Sequence, residues 1–162
     1  MSNKHLSQAP SNLVKAKLKV MEATIQDYLD LAESEKLIND AIALIEADTP
    51  FDPTVGEYAT VLAKLQKKEL EKFTNPESGM KLDPDKKLEY NSAEQKQIHK
   101  RCKNNFEKAI NVLLYNNKTK DSPEVIGLKN QIGDLDFASN NFQSCEEIMK
   151  EVKDSAANVQ HT

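Results

Sequence analysis

The chain of 162 residues has no tryptophan, two cysteines, four glycines and six prolines. So few glycines and prolines leave few places for tight turns, and no run alternates apolar and polar residues as a half-buried strand would. The glycines are isolated at positions 56, 79, 127 and 133, so neither a phosphate-cradling loop nor a dinucleotide fingerprint can be built. Two cysteines, Cys102 and Cys145, do not make a disulfide framework. No stretch approaches the ~18 apolar residues of a membrane span. The opening "MSNKHLSQAPSN" lacks the apolar run of a secretory signal. These shortages point to a reducing cytoplasm, with secretion by a non-Sec route left open.

What is present favours helix. Hydrophobic residues make up 38% of the chain and charged residues 30%, with a mean hydropathy of −0.66. Lys, Glu, Leu and Ala dominate, all good helix formers. A chain this long can bury ~70% of its unfolded surface in one domain. The expectation is an all-α protein of six or seven helices stacked as antiparallel hairpins. A flexible tail would span 1–11, a single helical domain 12–156 and a second tail 157–162.

Helix starts are legible in three places. Asp52-Pro53, Asp83-Pro84 and Ser122-Pro123 each pair an N-cap oxygen with proline at the first helical position, where the missing N–H costs nothing. Ser92 with Gln95 fits a capping box. Apolar spacing predicts a first helix over about 12–32, with Leu13, Leu18, Met21, Ile25, Tyr28 and Leu31 as its stripe. A second is expected over 35–47 and a third over 54–73. "TNPESGMKLDP" and "YNNKTKDSP" read as loops.

Net charge is −4, unevenly spread. Residues 1–60 carry five lysines against ten acids, and residues 121–162 three against eight. Residues 93–120 carry seven basic groups against two acids. An acidic, basic, acidic order suggests helices that attract one another, or a basic strip (Lys96, Lys100, Arg101, Lys103) offered to an acidic partner.

Two segments are alike. "NNFEKAINVLL" (104–114) and "NNFQSCEEIMK" (140–150) share Asn-Asn-Phe, a small residue three positions on (Ala109, Cys145) and a large one four further (Leu113, Met149). "INDAIALI" (38–45) repeats the Ile38, Ala41, Ile45 frame. Together with Gly133 and Pro123, these residues resemble the tetratricopeptide repeat, a 34-residue helical hairpin. The likeness covers about residues 120–155, and 95–116 in part. Gln97 stands where the earlier copy would need its small residue, and no copy falls near residue 75. The resemblance implies that α-hairpins stack and leave a groove for a peptide or helix, with Asn130, Asp134 and Phe137 facing it. Asp134 departs from the basic clamp by which some relatives hold a C-terminal carboxylate. A continuous helix through 140–141 is the competing reading, since apolar residues from Leu128 to Val152 keep heptad-like steps.

Chemical motifs are thin. His99 and Cys102 sit at i, i+3, but zinc takes about four ligands, or three and a water. A Cys-His nucleophile would need oxyanion donors that no glycine-rich turn supplies here. "KQIHKRCK" holds the chain's one arginine and no aromatic platform for a base. The reading is therefore a non-enzymatic protein-interaction module, an adaptor, chaperone or regulatory inhibitor, with no cofactor or metal. Its partner would be a peptide or helix, and an acidic one would suit the basic strip. Nucleic acid and a small-molecule substrate fit less well. Self-association of the helical surface is the alternative, and a thiol-dependent enzyme a weaker one.

Overall fold

A computed structural model describes residues 11–25, 30–71, 92–138 and 141–160. Among them are six helices: α1 (Asn12–Ile25), α2 (Leu31–Glu46), α3 (Pro53–Leu70), α4 (Ala93–Tyr115), α5 (Pro123–Ala138) and α6 (Phe142–Gln160). The fold is all-α, with no strand among the described residues.

Local chemistry sets most helix starts. Asp52 accepts a hydrogen bond from Thr54 N at 2.8 Å, with Pro53 in the first turn of α3. Ser92 Oγ accepts from Gln95 N at 3.2 Å. Each cap satisfies an amide that the helix itself leaves unpaired. Asp83-Pro84 lies outside the described residues. Ser122 does not cap α5 with its side chain. Its hydroxyl accepts from Thr119 N at 2.8 Å and so closes the preceding turn, while its carbonyl receives the first helical bond, from Ile126 N.

The first expected helix is in fact divided. α1 ends at Ile25, and Asp30 opens α2 by accepting from Glu33 N at 2.8 Å. Leu31 and Ala32 therefore belong to α2. The expected stripe of α1 is also misassigned: Ala16, Val20 and Ala23 are buried, while Leu13, Leu18 and Met21 are exposed. The small residues let α1 lie close to α2, its main neighbour.

The repeated Asn-Asn-Phe has two outcomes. Asn104-Asn105 lie inside the unbroken helix α4. There Phe106 is fully buried beside Cys102 and Ala109, and Asn105 is bonded to Gln66, so packing outweighs the small propensity cost of two asparagines. At the second copy, α5 ends and α6 begins. Asn141 N donates back to Asp136 O at 2.8 Å, and Phe142 remains exposed. That five-residue span is the bond of a helix C-terminus.

Each helix packs chiefly on its neighbours in the chain, most extensively within α1–α2, α3–α4 and α5–α6. Asn12 meets Asp48, Ala63 meets Cys102, Gly56 meets Val112, and Lys129 meets Glu151, so each of these pairs runs antiparallel. Two core clusters result. One draws Val20, Ile38, Ile45, Val55, Leu62 and Val112 from α1 to α4, and the other draws Ala63, Phe106, Val125, Ile132 and Leu135 from α3 to α5. α3 and α4 contribute to both. α6 runs on to Gln160, through residues expected as tail.

Gly133 lets α5 approach α6. A Cβ there would collide with Met149 Cε and stand 3.3 Å from Ile148 Cγ2. Its neighbours across the interface are Met149 and Ile148, the heavy side chains of the facing helix.

Candidate partner-binding face

α4 places its two flanks against other helices and leaves a third face outward. Asn104, Glu107, Lys108 and Asn111 recur at helical spacing along that face. Between it and α2 lies an open cleft of about 380 Å³, lined by Glu46, Pro50, Phe51 and those α4 residues. Between α4 and α6 lies a second, of about 310 Å³, lined among others by Lys103, Ile110, Lys129, Ser144, Glu147 and Ile148. Glu107 borders both. The two clefts therefore flank α4 on the α2–α4–α6 side, with Glu107 on the ridge between them, and together form a paired trough.

Ion pairs set the walls. Lys108 Nζ is 2.9 Å from Glu46 Oε1, and Lys129 Nζ is 3.3 Å from Glu151 Oε2. Phe51 stacks on Tyr115 with ring centroids 4.1 Å apart, both rings exposed at the α2 end. Asn116 Nδ2 donates to Phe51 O at 2.8 Å and holds that corner to α4. The trough combines amides, charges of both signs and one aromatic edge. Such a surface can take main-chain amides and a few side chains of a peptide.

Two polar clusters, centred on the buried side chains Gln66 and Asp136, join the helices. Gln66 donates to Glu35 at 3.0 Å and accepts from Asn105 at 2.9 Å, so one buried amide joins α2, α3 and α4. Arg101 grips Glu35 through Nε and Nη2, at 2.9 and 3.1 Å. At the α4–α5 junction, Asp136 is 1% exposed. Lys103 Nζ lies 3.2 Å from its Oδ2, and His99 Nε2 3.3 Å from its Oδ1 without hydrogen-bond alignment. Burial holds the His99 pKa below its ordinary value; nearby Asp136 pulls it up and Lys103 pushes it down.

The expected site residues divide. Lys96 and Lys100 are exposed on α4. Arg101 and Lys103 are engaged by Glu35 and Asp136, so that half of the basic strip holds helices together. Asn130, Asp134 and Phe137 are exposed and share one face of α5. None of the three lines either cleft. Asp134 is 3.9 Å from Lys67 of α3, and Phe137 meets Phe142 edge-on at 5.6 Å. Phe51, Asn104, Glu107 and Asn111 escaped the sequence reading. The polar spacing of Asn104, Glu107 and Asn111 on α4 was visible, but which helices flank them, and that Phe51 joins them, was not.

Cys102 is fully buried and donates its S–H to Ala63 O at 3.2 Å. Desolvation pushes its pKa up to about 12, so the thiol stays protonated and acts as a small packing group. His99 turns to Asp136 instead. Among the described residues no three His, Cys, Asp or Glu side chains converge as a metal site, and no helix is long and apolar enough to cross a membrane.

No protein-family model matches the chain, and no curated protein matches it.

Proposed function

We propose that this protein is a non-enzymatic binding module that holds a peptide or helix of another protein along the α2–α4–α6 trough. The observation that carries the reading is the pair of clefts meeting at Glu107, with Phe51 at one end and Ile148 at the other. A trough of this kind presents polar groups at intervals along a helix, as recognition of a peptide main chain requires. The tetratricopeptide-like pattern of residues 120–155 would instead place its groove on the α5 face of Asn130, Asp134 and Phe137, so the trough reading rests on the clefts. Adaptor, chaperone and regulatory inhibitor are all forms of it.

The test is photo-crosslinking from single sites in the full chain, within extract of the source cells. A crosslinker at Glu107 should capture a discrete protein, and one at Asn130 should not. Capture only from Asn130 would move the site to the α5 face and overturn the trough. A charge reversal confined to Lys96 and Lys100 asks whether the partner is acidic. Reversing Arg101 or Lys103 would break the fold's own ion pairs and answer nothing.

Self-association is the second reading, favoured by the exposed Phe137–Phe142 pair. Sedimentation should then show an oligomer that Phe137→Asp dissolves.

A further inference from the structure

α1 carries two apolar faces. Ala16, Val20 and Ala23 pack inward. Val14, Leu18 and Met21, at i, i+4 and i+7, lie on another face and are 46%, 56% and 45% exposed. Large aliphatic side chains in such a row are the seam of a helix pair. Among the described residues α1 ends the row of helices, since its main contact there is with α2. The opposite end differs: the outward residues of α6 include Glu146, Glu147, Lys150, Lys153 and Asp154. Stacked helical arrays need a polar outer face at each end to stay soluble. α6 has one, and α1 has an apolar seam in its place.

The residues beside the seam say what fits it. In heptad terms Lys15 and Lys17 flank Leu18 on its two edges, both exposed, with Glu22 further along. A second copy of α1 would bring two lysines and one glutamate against the same set, so only Lys17 and Glu22 could pair, in a parallel register, and Lys15 would be left without an acid. A helix with glutamate or aspartate at its flanking positions would complement both lysines. A membrane surface suits the seam less well. Exposed Leu13 is set off from it by Lys17, and it has no aromatic, whereas interfacial helices present a broad unbroken face with Trp, Phe and Leu.

We infer that α1 is a second docking surface, which pairs with an amphipathic helix of a partner protein whose apolar seam is flanked by acidic residues. It is separate from the trough and stands if the trough reading fails.

The test uses the full chain and two synthetic three-heptad helices with the same leucine seam, one flanked by glutamate and one by lysine. Fluorescence anisotropy should show the glutamate helix binding at least tenfold more tightly, with Leu18→Asp/Met21→Asp abolishing it. Lys15→Glu/Lys17→Glu should reverse the preference. The Leu18→Asp/Met21→Asp protein should keep its Tm within about 2 °C, because an open face loses nothing on gaining charge. A larger fall would mean that the chain itself covers the seam, which overturns the inference. So would absent or equal binding of the two helices, or binding that survives the double substitution. Attachment to phosphatidylglycerol vesicles, or a dimer in sedimentation, that is lost with Leu18 and Met21 would assign the face to lipid or to a second copy and likewise overturn it.

Discussion

Lys103→Met asks how much one buried carboxylate costs when its lysine is removed. Asp136 is 1% exposed, and Lys103 is its closest cation, at 3.2 Å. Removing one partner of a buried pair costs about 3–5 kcal/mol, because the remaining charge has lost its solvent and its counterion. The Lys103 side chain is itself 30% exposed, so the expected loss is the low end, about 3 kcal/mol. The converse change is milder. In Asp136→Asn the lysine can turn to water, and the loss is about 1 kcal/mol. The double variant should fall near the milder single, giving a coupling of about 3 kcal/mol. His99 adds a pH signature. Removing Lys103 removes a charge that pushes its pKa down, while Asp136 still pulls it up. His99 should therefore titrate higher in Lys103→Met, and its imidazolium can stand in for the lysine. The penalty is then smaller near pH 5.5 than near pH 8. Urea unfolding at both values and the His99 ring signal in NMR read this directly. A penalty under about 1 kcal/mol near pH 8, or one equal at both pH values, would refute the reasoning.

In the native protein the His99 pKa is lowered, so the folded state binds fewer protons than the unfolded chain. Its contribution to stability should be complete above the ordinary histidine value of about 6.5 and decline as pH falls through the folded value. His99→Gln should flatten that part of a Tm–pH curve. Gly127 lies within α5, and a Cβ there meets nothing within 4 Å. Gly127→Ala should stabilise by about 0.5–1 kcal/mol, seen as a Tm rise of a few degrees; a fall would show hidden contact. Ellman's reagent should label the half-buried Cys145 in the native state, and reach Cys102 only on unfolding. Equal labelling rates would contradict the burial. Asp52→Ala should cost about 1 kcal/mol through the lost cap on Thr54 N, and Asp52→Asn much less.

The sequence by itself determined the helical class and several boundaries, because these are local matters. Asp52-Pro53 and Ser92 act within one turn, and they cap α3 and α4 as their spacing predicts. The same local evidence was also present at Asp30 and Glu33, where the longer apolar periodicity obscured the break between α1 and α2. Tertiary structure decided the rest. One tripeptide, Asn-Asn-Phe, runs straight in α4 and opens α6, because Phe106 finds a core and Phe142 does not. The basic strip looked like a surface until Glu35 and Asp136, distant in sequence, were found to hold Arg101 and Lys103. α1 buried its alanines and valine and left Leu18 and Met21 outside. Periodicity shows that a helix has an apolar face. Which face is covered depends on how closely a neighbouring helix can approach, and that is a property of the pair.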